Sequence, residues 1–316
     1  MSVTLPTAQT IAVVGAGGVG GLLAALLARA GRDVRLIARG AALAAVRERG
    51  LVIRGPDGDH TVPIARASDD PAALGAADLV IVTVKTWQLA ELGPRLAPLV
   101  ADRGLVIPMQ NGVEASEVLA GALGEDRVIG AVCRVISWTE QPGEIRWLGA
   151  PLSLSIGALH PGQAARVEAG AAALRTDGIE IVVARDIARA RWMKFLFLAP
   201  YAAIGAVERV PLGALRRMPL ARARLEAAMH EVAALAAARG VSLPPDAVAG
   251  MLQRIDGLPE DATTSMHRDI AAGRPSELHE LIGAVVRLGR DAGVATPVSA
   301  ELYAELEPLE RRARGG

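Results

Sequence analysis

Along the first part of the chain, short apolar runs alternate with longer amphipathic stretches. IAVV (11–14), VRLIA (34–38), ADLVIVTVK (77–85) and GLVIPMQNG (104–112) are bounded by turn residues and read as buried strands, the third ending at Lys85 and the fourth near Gln110. Between the first two, GAGGVGGLLAALLARAG turns sharply at its glycines and predicts a helix running to Gly31; another is predicted from about Ala41 to Arg49. Consecutive apolar strands separated by helices predict a parallel sheet covered on both faces, since a strand buried on one face only would alternate apolar with polar residues. LVIRGPDGDHTVPIA predicts two short strands around a Pro-Asp-Gly turn. VIGAVCRVISWTE predicts a further strand, followed by a turn at QPGE and more strand structure through LSLSIG.

From about Ala184 the apolar period becomes helical. Predicted helices are a long one around Lys194, one over 220–240, one near 245–255, one over 277–292 and a short last one from about Pro297. Gly240 and Gly293 read as helix stops, each followed by a turn containing proline. The expected fold class is α/β: an N-terminal domain built on a doubly wound parallel sheet over 1–184 and an all-helical C-terminal domain over 185–316.

Composition narrows the function. About half of the 316 residues are apolar, yet only two are Phe and two Tyr, so the core must be built from Leu, Ala, Val and Ile. Lys plus Arg and Asp plus Glu both number 34, and no basic block stands out, which argues against a nucleic-acid partner. A lone cysteine, Cys133, can form no internal disulfide and points to an intracellular, metal-free protein. The leading MSVTLPTAQT lacks a basic leader and an apolar segment, and the longest apolar run, Phe195 to Val207, contains Pro200 and falls short of a bilayer span. The expected location is therefore cytoplasmic, with no membrane partner. For the Ala-rich helices two readings stay open, burial within the domain or against a second copy in a homodimer.

Gly15-Ala16-Gly17-Gly18-Val19-Gly20 fits G-x-G-x-x-G in the required setting of strand, tight turn and helix. Gly15 permits the turn, Gly17 lets the backbone approach a pyrophosphate, and Gly20 allows close helix-to-strand packing. The second strand ends at Arg39 rather than at an acid, and Asp33 lies at its other end. An arginine there suits a 2′-phosphate, which makes NADP(H) the expected cofactor rather than NAD(H).

Ligands of open parallel sheets bind beyond the carboxyl ends of the strands, where Lys85 and Asn111 fall. A third polar group, Lys194, interrupts the otherwise apolar RARWMKFLFLAPYAAIGAV; a lysine in such a run must be paired, must bring its ammonium to water, or must act chemically. His267 and His279 read as structural or solvent-facing, and Trp87, Trp138, Trp147 and Trp192 as packing residues.

In their order and spacing, GAGGVG, VTVKTWQ, QNGVE, RWMKF, TTSMHRDIAAGRPSELHELIG and GVATPVSAELY resemble the ketopantoate reductase (2-dehydropantoate 2-reductase) family over essentially the whole chain. The resemblance implies a Rossmann domain, a helical domain and an active site in the cleft between them. It also implies reduction of a small-molecule 2-oxo acid, ketopantoate, to pantoate with NADPH. It makes Lys194 the catalytic lysine and Glu277 its acidic companion, assigns Lys85 and Asn111 to cofactor and substrate, and makes Ser265 a substrate contact. Hydride addition to a ketone leaves an alkoxide, to which Lys194 would donate a proton. Arg274, by its place near Glu277, is a further candidate for the substrate carboxylate. Leu198 and Ala202, four and eight residues after Lys194, stand where the resemblance calls for asparagines. Two other readings follow: a reductase of a more apolar 2-oxo acid or carbonyl compound, and an NADP(H)-sensing module.

Overall fold

The computed structural model describes residues 9–316; the stretch before them, read above for a leader signal, lies outside the described residues. The chain divides into two compact units, Met1–Gln110 with Glu114–Ile187, and Asn111–Val113 with Ala188–Gly316.

The first unit contains, in chain order, β1 (Thr10–Val14), α1 (Gly18–Arg29), β2 (Asp33–Ile37), α2 (Gly40–Arg49), β3 (Leu51–Gly55), β4 (Gly58–Val62), β5 (Arg66–Ser68), β6 (Ala77–Val82), α3 (Leu89–Arg95), β7 (Val100–Pro108), α4 (Ala115–Leu123), β8 (Gly130–Gln141), β9 (Glu144–Gly157), α5 (Ala164–Leu174) and β10 (Ile179–Val183). One sheet has the order β5-β2-β1-β6-β7 and is parallel throughout. Its central strands are buried on both faces, as their unbroken apolar runs require. Ile11, Val13, Leu79 and Ile81 face a core shared with Leu22, Leu23 and Leu27 of α1. Ala12, Val14, Val80 and Val82 face the opposite core, with Leu89, Leu96 and Leu119. Each such Leu, Ile or Val, fully withdrawn from water, contributes about 1.5–3 kcal/mol of transfer free energy. The chain order reverses between β1 and β6, so the glycine turn after β1 lies at the switch point of the sheet.

A second, mixed sheet, which the sequence pattern did not anticipate as a separate layer, has the order β10-β9-β3-β4, with β8 antiparallel along β9. A further correction concerns Lys85. The strand expected to reach it stops at Val82, because neighbouring β1 turns away at Gly15, whose φ is +110°. Thr83 takes over there: its amide and its hydroxyl both donate to Val14 O at 2.9 Å, and the hydroxyl also reaches Gly15 O at 3.1 Å.

The second unit is helical: α6 (Ile187–Glu208), whose first residue belongs to the first unit, then α7 (Leu212–Arg216), α8 (Pro219–Ala238), α9 (Ala247–Asp256), α10 (Ser265–Ala271), α11 (Ile282–Ala292) and α12 (Pro297–Ala313). Phe195, Leu196, Ala199 and Ala203 of α6 pack into a core with Leu225, Met229, Val285 and Leu302. Gly240 and Gly293 end α8 and α11 at φ +77° and +67°, the left-handed conformation that stops a helix at little cost for glycine. Two expectations need revision. The last helix spans 17 residues and is not short. α11 begins at Ile282 rather than at Glu277, because Leu281 sits at φ −103°, ψ −95° and Gly283 N reaches back to Leu278 O.

Candidate active site

Each glycine of the turn after β1 has its own reason. A Cβ on Gly20 would lie 2.0 Å from Gly15 O and 2.2 Å from Thr83 Oγ1, so α1 can pack against the sheet only through a hydrogen atom. A Cβ on Gly17 would meet nothing within 4 Å; this is the open side of the turn. Gly17 caps α1 with no side-chain hydrogen bond, leaving the first-turn amides to an incoming anion. Gly18 falls on a variable position of the motif, yet a Cβ there would lie 2.8 Å from Ser137 O and from Trp138 Cα of β8. Sequence reasoning had no signal for that constraint, since β8 is remote in the chain. Ser137 Oγ is buried without a hydrogen-bond partner beside this turn. Open space over Gly17, uncapped helix amides and an orphaned hydroxyl suit the pyrophosphate of a dinucleotide. Ala16 is buried and Val19 is partly buried against the core beneath. Arg39 is exposed two residues past β2, as N-cap of α2.

Lys85, also of the first unit, is partly buried three residues beyond β6. Its amide donates to Gln88 Oε1 at 3.2 Å, and its ammonium lies 5.6 Å from the centre of the Trp87 ring. Gln110 ties the loop bearing it to the end of β7 by donating to Val82 O at 3.0 Å and Val84 O at 2.8 Å.

The second unit brings three of the sequence-selected residues together. Lys194 Nζ on α6 donates to Asn111 Oδ1 at 2.8 Å, and Asn111 Nδ2 donates to Glu277 Oε2 at 3.1 Å. The chemistry of the partners sets the orientation of the amide: an ammonium can only donate and a carboxylate can only accept, so the amide oxygen must face the lysine. Asn111 thus joins an ammonium to a carboxylate through two charge-assisted hydrogen bonds. Glu277 is 6% exposed and lies in the irregular turn ahead of α11, not in the first turn of that helix. Gly112 holds φ +92°, and a Cβ there would stand 2.8 Å from Glu280 O, so the loop bearing Asn111 reaches this turn only through glycine. Close by, Glu280 carries a carboxyl pushed up to about 7, chiefly by burial and secondarily by the charge of Glu277.

Other candidates stand apart from this trio. Ser265 opens α10, is exposed, and makes no hydrogen bond to any of the three. The Arg274 guanidinium is held by Asp269, at 3.1 and 2.8 Å. Leu198 is partly exposed but Ala202 is fully buried in the helical core, so the two do not share one accessible face with Lys194. Trp147 and Trp192 pack as expected, Trp87 is half-buried, and Trp138 departs from expectation at 40% exposure. His279 pairs with the Tyr303 hydroxyl at 2.8 Å, and burial lowers the pKa values of both His279 and His267. Among the described residues no cluster of His, Cys, Asp or Glu could hold a metal ion, and no helix is long and apolar enough to cross a membrane.

A doubly wound parallel sheet with a glycine turn at its switch point, joined to a helical unit that holds a lysine, an amide and a carboxylate in series, defines an oxidoreductase architecture. Residues 11–161 match the family model described as ketopantoate reductase PanE/ApbA, and residues 186–310 match the model of its C-terminal part. A 2-dehydropantoate 2-reductase of Halobacterium salinarum is 34% identical over 304 residues, covering 96% of this chain and 99% of its own. Another, from a Nostoc species, is 30% identical over 309 residues, with 96% of each chain covered. The crystal structure of 2-dehydropantoate 2-reductase from Geobacter metallireducens superposes with a TM-score of 0.87 at 32% identity, covering 95% of this chain and 99% of that one. The chain belongs to the ketopantoate reductase family and is an oxidoreductase.

Proposed function

We propose that the protein reduces 2-dehydropantoate to pantoate with NADPH, and that Lys194 is the general acid. The observation that carries this reading is the chain Lys194–Asn111–Glu277; the names of the relatives supply the substrate. The turn over Gly15, Gly17 and Gly20 would hold the pyrophosphate on the first-turn amides of α1, and Arg39 the 2′-phosphate. NADPH, when bound, supplies the hydride that adds to the 2-oxo carbon. That addition moves the carbonyl electron pair onto oxygen. Lys194 then donates a proton to the oxygen, forming the alcohol, and recovers one from solvent. Asn111 orients the ammonium through its amide oxygen, and the Glu277 carboxylate, reached through the same amide, supplies a negative charge one amide away from it. Lys85 supplies a second positive charge toward cofactor or substrate, and Ser265 a hydroxyl for the substrate.

The test follows loss of reduced-cofactor absorbance with 2-dehydropantoate and a panel of other 2-oxo acids, for the parent protein and Lys194→Ala. Turnover of 2-dehydropantoate ahead of the panel, with NADPH ahead of NADH, is expected, and Lys194→Ala should lose a factor of about 100 or more in kcat. Near-parental kcat in that variant removes Lys194 from the chemistry; preference for NADH removes Arg39 from cofactor selection.

A further inference from the structure

Glu310 lies on α12 and is 1% exposed, yet it is a carboxylate with a complete set of partners. One of its oxygens accepts from the amide of Ser276 at 3.0 Å and from Arg314 Nε at 2.6 Å. The other accepts from the same amide at 3.1 Å and from the Ser276 hydroxyl at 2.5 Å. Arg314 closes the ring by donating from Nη2 to Ser276 O at 3.0 Å, and Ser276 Oγ accepts from the Leu278 amide at 3.3 Å. Further along the same turn, His279 Nδ1 meets the hydroxyl of Tyr303, again from α12, at 2.8 Å. All of these contacts fall on the residues that flank Glu277, in an irregular turn ahead of Ile282 whose own backbone bonding includes Leu281 N donating to Glu277 O at 3.0 Å.

We infer that Glu310 and Arg314 of α12 are positioning residues for the active-site carboxylate: they set the backbone at Ser276 and so aim Glu277 at Asn111 and, through it, at Lys194. This rests on the reading of Lys194, Asn111 and Glu277 as the reacting centre. The physical basis is that an irregular turn with little helical bonding of its own takes part of its geometry from outside, and a buried carboxylate with all its lone pairs engaged, as Glu310 is, holds a tight geometry because any displacement leaves a buried charge unpaired. Catalytic geometry is sensitive at that scale, since misplacement by about 1 Å can cost a hundredfold in rate.

A matched control is built into the same helix. Glu231 of α8 grips the other end of α12 in the same way, accepting from Val298 N at 2.7 Å, Ser299 N at 2.9 Å and Ser299 Oγ at 2.6 Å, and none of these bonds falls on the Glu277 turn. The experiment compares Glu310→Gln, Glu231→Gln and Glu277→Gln with the parent for melting temperature, kcat, KM for 2-dehydropantoate and the pH profile of kcat/KM. Both Glu310→Gln and Glu231→Gln should lower the melting temperature. Only Glu310→Gln should also lower kcat at least tenfold and move the alkaline limb of the profile to lower pH, in the same direction as Glu277→Gln, a change that partial unfolding cannot produce. Should Glu310→Gln fail to accumulate as folded protein, Ser276→Ala, which deletes only the hydroxyl, is read by the same criteria. A parental pH profile and kcat in the clamp variant, with both changed in Glu277→Gln, overturns the inference and leaves the site reading standing. Parental behaviour of Glu277→Gln itself overturns both.

Discussion

Replacing Glu280 by Gln perturbs one carboxyl whose titration the fold has raised to about 7. Glu280 lies in the turn before α11 with Oε2 buried and without a hydrogen-bond partner. Burial raises its pKa most, the charges of Glu277 and Glu310 add to that, and its own backbone amide and Arg314 oppose it, so the value moves from 4.5 to about 7. The folded state therefore holds a proton between those two pH values that the unfolded chain has already lost. Stability from this group is fully present below pH 4.5 and is lost as pH rises through about 7. At 1.36 kcal/mol per tenfold change in proton affinity, the full effect would be about 3 kcal/mol; because the side chain is only partly buried, solvent screening reduces this to about 1–2 kcal/mol. Gln is neutral throughout and lacks this dependence. In urea titrations, Glu280→Gln should match the parent near pH 4.5 and exceed it by about 1–2 kcal/mol at pH 8, other titrating groups cancelling in the difference. A parent-minus-variant difference that stays flat from pH 4.5 to 8 would refute the argument.

Three glycines give sharper contrasts. Gly17→Ala should cost about 1 kcal/mol or less in stability, as an N-cap change into open space, while weakening dinucleotide binding at least tenfold by calorimetric titration. Gly20→Ala, three residues on, should cost about 3 kcal/mol or more by thermal melting, because the added methyl meets backbone that cannot yield. Gly112→Ala combines a disfavoured φ with a contact on Glu280 O and should cost about 1–3 kcal/mol. Its kcat should fall at least tenfold, since Asn111 must move with it; a parental kcat would separate Asn111 from the chemistry.

What could be read from the sequence was what local physics decides. The cores of β1, β2, β6 and β7, the glycine turn and the stops at Gly240 and Gly293 rest on periodicity and on backbone freedom within a few residues, and they fall where the pattern puts them, whereas the short edge strand β5 carries no such signal. The strand expected to reach Lys85 is too long because Thr83 and Val84 continue a β-branched run, while the loss of the neighbouring strand at Gly15 is a tertiary event. The second sheet depends on Val52 pairing with Glu144, a contact between segments that carry no mutual signature. The start of α11 was misplaced for a related reason: the break at Leu281 goes with the seating of Gly283 against the Tyr303 ring, where a Cβ would lie 2.9 Å from a ring carbon.

The candidate site divides along the same line. Lys194 could be found because a lysine in an apolar run is an anomaly within one segment. Glu310 presents the same anomaly in a less visible form. In LYAELEPLERRAR the residues Leu302, Leu306 and Glu310 are spaced by four, and all three are buried, so a carboxylate occupies the third place of an apolar stripe. Arg314, four residues later, is the partner such a carboxylate requires, and the pair is made at 2.6 Å. The surrounding charges give the segment the look of an ordinary solvated helix end and mask the pattern. The two anomalies differ in what they disclose. On the function proposed above, an ammonium in an apolar run, with a carboxylate held one amide away, is the proton donor; a carboxylate in an apolar stripe, already saturated with donors, is the group proposed to fix the position of its neighbour.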